Sequence, residues 1–202
     1  GDLGDKFPDN QLSADCYGMG KNTEKINRAY ALMERELAML EEHTKNYSEH
    51  IFAIMTKVRR TVEMLRLPTM IELVEDFYNE NKSVVLFTNF NEATDVLVKK
   101  LGQQYGADQI AVIRGGQNVK IRQQNIDDFQ NDRKRIMIAN ISAGGIGVSL
   151  HDLNGKHPRV SLICPTWSAI SMCQAIGRIW RQGSKSKSIQ KIIYCSETLE
   201  EA

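Results

Sequence analysis

Gln174, Arg178 and Arg181 stand together in the run Gln174-Ala175-Ile176-Gly177-Arg178-Ile179-Trp180-Arg181-Gln182-Gly183. On a helical turn their spacing predicts one shared face. A guanidinium is planar, always charged and able to donate two parallel hydrogen bonds. Two of them beside an amide suit the equatorial oxygens of a transferring phosphoryl group. Supplied across an interface, such a residue is an arginine finger, which raises rates by about 10³–10⁵ in other nucleotide hydrolases. Solvent-exposed arginines on an ordinary helix would look the same, so the pair needs company.

Company comes from three other loops. Ile141-Ser142-Ala143-Gly144-Gly145-Ile146-Gly147-Val148-Ser149-Leu150 follows a predicted strand. Its glycines let the backbone approach a ligand, and small hydroxyls flank them, a combination that suits phosphate oxygens. It is neither a Walker A loop nor the dinucleotide fingerprint G-x-G-x-x-G. Arg114-Gly115-Gly116-Gln117 follows another strand, and Thr88-Asn89 a third. In open parallel sheets ligands bind along the carboxyl edge, where all these loops are expected.

The elements that must hold these loops read in two parts. Residues 1–20 hold four glycines and a proline and predict a loop or linker. Residues 21–81 predict a helical insertion. Apolar residues recur at helical spacing from Ile26 to Leu65 with no glycine or proline, a break is expected over Glu41–His50, and Pro68 is expected to end the second helix. A further helix is expected over Met70–Tyr78. Residues 82–202 alternate strands and helices. Strands are expected at 83–87, 110–113, 135–139, 160–164 and 188–194, and helices at 92–101, 119–130 and 168–177. That alternation predicts an α/β domain with a doubly wound parallel sheet.

Charge follows the same division. Residues 1–81 carry 10 Lys/Arg and 15 Asp/Glu, and residues 82–202 carry 16 Lys/Arg and 10 Asp/Glu. No carboxylate falls between Leu153 and Ser196, where Lys156, Arg159, Arg178, Arg181, Lys185, Lys187 and Lys191 lie. Such a tract suits a surface facing phosphate, and a solvated basic face explains it equally. No run approaches the ~18 apolar residues of a membrane span. The four cysteines form no C-x-x-C pair, and no histidine has a partner at metal-ligand spacing, so no metal site is expected. The chain opens Gly1-Asp2-Leu3 with no signal-peptide pattern, and we expect a piece of a longer, intracellular protein.

In order and spacing these motifs resemble the second RecA-like lobe of superfamily 2 helicases. Within them the chain is similar to Swi/Snf-type DNA translocases and related helicases of large DNA viruses and phages. The resemblance covers about residues 82–200, and helical protrusions before that lobe are common in the Swi/Snf group. It implies that Arg178, Arg181 and Gln174 belong to motif VI and complete an ATP site from the opposite lobe. Gly147 and Gly177 are the glycines expected beside the nucleotide. It implies that Ser142, Gly144 and Gly145 of motif V, and Thr88 and Asn89 of motif IV, meet the backbone of DNA, with RNA left open. Arg114, Gly115 and Gly116 join them on the same edge.

The resemblance also implies a division of labour. The sequence has no G-x-x-x-x-G-K-[ST] and no Asp-Glu-x-His or Asp-Glu-x-Asp box. In the family these belong to a first RecA-like lobe, which holds most of the ATP and its Mg²⁺. The chain alone is therefore expected not to hydrolyse ATP. A non-catalytic nucleic-acid-binding or adaptor module is the rival reading. Trp167 could stack on a base or pack at a corner, and Arg59-Arg60 could touch DNA or face solvent.

Overall fold

The computed structural model describes residues 8–40, 45–141 and 148–201. In chain order the elements are β1 (Asn10–Tyr17), α1 (Lys21–Ala38), α2 (Tyr47–Asn79), β2 (Ser83–Thr88), α3 (Asn91–Tyr105), β3 (Ile110–Ile113), α4 (Val119–Gln130), β4 (Ile136–Asn140), β5 (Arg159–Ile163), α5 (Ala169–Ile176) and β6 (Ser188–Cys195). The strands form one sheet in the order β1-β6-β5-β2-β4-β3, and every neighbouring pair is parallel. Connections leave β2 in both directions across the sheet, which creates a crevice at its carboxyl edge.

β2, β4 and β5 are buried on both faces, as their near-continuous apolar runs require. Val84, Leu86, Ile136, Ile138, Val160 and Leu162 point into one core with α1, α2 and α3. Val85, Phe87, Met137, Ala139 and Ile163 point into the other, with Ile126 and Phe129 of α4 and Ala175 of α5. The sheet is therefore doubly wound, as its alternating elements predict.

Two expectations fail. The loop expected over residues 1–20 gives way to strand β1 over Asn10–Tyr17, which pairs with β6 in register from Asn10↔Ser188 to Tyr17↔Cys195. Main-chain bonding and polar links hold it. Asn10 Oδ1 accepts from Ser188 Oγ and from Gln190 Nε2, both at 2.8 Å, and Lys191 pairs with Asp15. An edge strand stabilised this way needs no apolar run, so composition alone reads it as linker.

Pro68 does not end a helix. α2 runs unbroken through it to Asn79, so the separate helix expected over Met70–Tyr78 is its second half. Val58, Val62, Leu67, Met70 and Val74 lie buried along one arc of α2, whereas Pro68 is exposed on the opposite side. The missing N–H and the ring crowding therefore fall where water can serve the freed carbonyl. Ending the helix at Pro68 would strand the second half of the buried arc. α1 ends at Ala38 and α2 begins at Tyr47, so the interval between them overlaps the break expected over Glu41–His50 without matching its bounds. The two helices are antiparallel: Asn22 Nδ2 donates to the Leu65 carbonyl at one end, and Lys57 pairs with Glu36 at the other.

Candidate nucleic-acid and nucleotide edge

The carboxyl ends of β2, β3, β4 and β5 gather at one edge of the sheet. Thr88 closes β2 fully buried, and its hydroxyl shares a hydrogen bond of 2.8 Å with Thr94 Oγ1 of α3. Thr88 thus offers no side-chain surface at the edge. Asn89 is half-buried, and its amide donates to Glu63 Oε2 at 2.6 Å and to the Pro165 carbonyl at 3.0 Å. The exposed surface of that turn belongs to Asn91 and Glu92 at the start of α3. Phe90 caps the helix without a side-chain acceptor, and the first-turn amides of a helix have no intrahelical partner.

Arg60, Asn89, Phe90, Asn91, Glu92, Gly115 and Asn140 line a groove of about 520 Å³ there. Four parts of the chain meet in it: α2, the β2–α3 turn with the start of α3, the β3–α4 turn and the end of β4. Gly116 has φ 71°, so the Gly115-Gly116 turn needs a residue free to enter the left-handed region. Gln117 Nε2 fastens it to the Val112 carbonyl at 3.1 Å. Arg114 is exposed and pairs with Asp95 at 2.8 Å.

The arginines lie past the end of α5, which stops at Ile176. Arg178 and Arg181 therefore sit in the turn after the helix rather than on a helical face. Gln174, still on α5, is exposed. Arg178 is only 7% exposed and donates from Nη1 to the Val148 carbonyl at 3.3 Å. Burial and the nearby charge of Arg181 both lower its pKa, which guanidinium's high intrinsic value absorbs without loss of charge. Arg181 is half-buried, and its Nε donates to the Gly177 carbonyl at 3.3 Å. Among the described residues it forms no ion pair. Two like charges held within electrostatic reach suit an anion, so the residues present fit a nucleotide phosphate. Gly177 has φ −75° and is placed there by the turn, not by any need for glycine. Ile179 is buried, and Trp180 donates from Nε1 to the Pro8 carbonyl at 2.7 Å. Ser142, Gly144, Gly145 and Gly147 lie outside the described residues.

Two features of this edge are invisible in the motifs. Glu63 of α2, 2% exposed, accepts from the backbone of Asn89 and Phe90. Arg59 lies with its guanidinium carbon 4.9 Å from the centre of the Trp167 ring and 5.9 Å from that of Phe90. Trp167 is 51% exposed, so it is not a packed corner residue. Glu63 stands in an ordinary polar helical pattern that gives no warning of its role, and nothing in the sequence pairs Arg59 with Trp167.

A parallel, doubly wound sheet with phosphate-compatible loops along its carboxyl edge is the architecture of a RecA-like lobe. Residues 38–183 match the helicase conserved C-terminal domain, and the chain belongs to that family. It is 36% identical over 95% of its length to a protein of Acanthamoeba polyphaga mimivirus described as an ATP-dependent RNA helicase. It is 28% identical over 69% of its length to a DNA repair protein of Schizosaccharomyces pombe. The chain spans 34% of the first relative and 16% of the second. The Sulfolobus solfataricus SWI2/SNF2 ATPase core in complex with dsDNA superposes with a TM-score of 0.70 at 16% identity, covering 96% of this chain and 42% of that one. The expected resemblance to the Swi/Snf-type C-terminal lobe and to a viral helicase holds.

Proposed function

We propose that this chain is the C-terminal motor lobe of an ATP-dependent DNA helicase or translocase. Arg178 and Arg181 face the γ-phosphate of an ATP held chiefly, with Mg²⁺, by a first lobe of the same polypeptide. Of the two, Arg181 is the more accessible and carries the transition-state contact, while Arg178 anchors the turn. Nucleic acid crosses the groove at the β2, β3 and β4 ends. There the first-turn amides of α3, Arg60 and the Gly115-Gly116 backbone meet phosphates. The side chains of Thr88 and Asn89 act behind that surface, since both are engaged within the fold.

The observation that carries this reading is the groove itself. It joins a helix N-terminus, an exposed arginine paired with Glu92 at 3.5 Å, and an open glycine turn in one cleft. The amides and the guanidinium are donors suited to a backbone rather than to bases, and a phosphate there takes the place of Glu92 on Arg60. Binding is therefore sequence-tolerant and weakens steeply with salt. Fluorescence anisotropy of labelled single-stranded DNA across a salt series tests it. Affinity indifferent to salt refutes the phosphate account, and preference for RNA of the same sequence replaces DNA as the substrate.

An adaptor role is the second reading. Met39 and Phe52, 67% and 68% exposed near the junction of α1 and α2, favour it as places for a protein partner. It has no use for two arginines poised at a lobe interface.

A further inference from the structure

Glu63 spends both carboxylate oxygens on a single turn. Oε1 accepts from the Asn89 and Phe90 amides at 2.9 and 3.2 Å. Oε2 accepts from the Asn89 amide at 3.1 Å and from its side chain at 2.6 Å. Asn89 passes the link on to the Pro165 carbonyl. One α2 residue thus ties the loop leaving β2 to the loop leaving β5. Its neighbours on the same face of α2 extend the brace. Arg59 donates to Thr166 Oγ1 at 3.4 Å, and Arg66 donates to Glu200 beyond β6.

A buried carboxylate is costly unless its charge is met by donors. Here every contact uses it as an acceptor, which is the ionised form. Burial holds the Glu63 carboxyl above its usual pKa, and the bonds from Asn89 and Phe90 offset that only in part. Its charge lies directly under the Asn89 and Phe90 amides, so those two N–H groups are closed to a second anion. The next free donors are the first-turn amides of α3, in the groove that Arg60 also lines. Arg60 stands three residues before Glu63 on the same helix.

We propose that Glu63 is a positioning residue for the nucleic-acid edge. By holding the Asn89–Phe90 turn through its amides, it sets the phosphate backbone onto the first turn of α3 beside Arg60. This rests on the reading of that edge as the nucleic-acid surface.

The test uses the full-length protein and labelled oligo-dT, by anisotropy at several salt concentrations and well below the melting temperature. Glu63→Gln keeps the size but turns one acceptor into a donor facing donors. Simple electrostatics says that removing a negative charge near phosphate tightens binding. Positioning says the reverse. The expected result is affinity reduced about tenfold with a salt slope smaller by about one phosphate. A purely stabilising role lowers the melting temperature and leaves that slope unchanged. Unchanged or tighter binding by folded Glu63→Gln overturns the proposal. Should that variant not fold, Asn89→Ala removes only the side-chain half of the link, and about threefold weaker binding is expected. Unchanged affinity there overturns it equally. Wild-type protein that shows no salt-dependent binding would refute the reading of the edge itself. Wild-type binding matched by Glu63→Gln would refute only the role of Glu63.

Discussion

Arg178 and Leu150 are joined backbone to backbone: the Leu150 amide donates to the Arg178 carbonyl at 2.9 Å. The Arg178 guanidinium adds a bond to the Val148 carbonyl. The turn that carries both arginines is therefore docked on Val148 and Leu150, which follow the glycine-rich run in sequence. A shift of either must drag the other or break these bonds. Under the proposed function these bonds are a short physical route between the nucleotide and nucleic-acid contacts.

The 202-residue chain by itself should release no phosphate from ATP, with or without DNA. Under the proposed function it supplies arginines for a developing charge, but its sequence has no phosphate-cradling Gly-Lys-Ser/Thr loop. A malachite-green assay on the purified chain checks this. DNA-stimulated release that disappears in Arg181→Ala would show that the chain holds a complete site.

Legibility in the sequence tracked how local the stabilising force was. β2, β4 and β5 read correctly because each is a short apolar run buried on both faces. β1 did not, because its stability lies in pairing with β6. Pro68 misled because a proline's effect depends on which side of the helix meets water, and that is set by packing. The spacing of Arg178 and Arg181 predicts one helical face, but α5 ends at Ile176 and both sit in the turn beyond it. Glu63 was illegible because its partners lie 26 and 27 residues away and only the fold brings them to it.

Pro68→Ala should stabilise the protein by about 1 kcal/mol. The substitution restores a donor for the Met64 carbonyl and removes ring crowding, against a general penalty of about 3 kcal/mol for interior proline. Part of that gain is lost because alanine frees the unfolded chain by up to about 1 kcal/mol. Urea midpoints of the two proteins decide it. A lower midpoint for Pro68→Ala would mean that the packing of Leu67 and Met70 depends on the proline.

Glu200 seals the end of β6 against α1 and α2. It accepts from Arg66 at 2.5 and 2.7 Å, from Tyr30 at 2.7 Å and from the Cys195 amide at 2.9 Å. Burial alone would raise its pKa, but Arg66 and the other donors win, and it lies below the ordinary 4.5. A carboxyl depressed on folding stabilises above its unfolded pKa, and that contribution is lost as pH falls through 4.5 toward the folded value. Glu200→Gln should therefore cost about 3 kcal/mol at pH 7, by stranding buried Arg66. The gap from wild type should narrow as pH drops below that value. Denaturant titrations of both proteins at pH 7 and pH 4 test it, and a gap equal at both would place the stabilisation outside the charge.

Arg181→Ala in the full-length protein should remove most turnover while sparing the fold. The side chain is half-buried, and its bond is to a turn carbonyl of its own segment. Its loss should shift stability by less than about 1 kcal/mol. The charge it meets grows only in the transition state, so the loss should fall on kcat, by about 10³, with little change in the KM for ATP. Arg181→Lys should not rescue, because a point charge cannot reproduce the two-pronged donor. Arg178→Ala differs. Its guanidinium is buried on the Val148 carbonyl, so removal should cost about 1–3 kcal/mol of stability besides activity. Steady-state ATPase at saturating DNA, with melting temperatures alongside, separates the two. Near-wild-type kcat in folded Arg181→Ala would refute the arginine-finger assignment and leave the adaptor reading as the better account of this lobe.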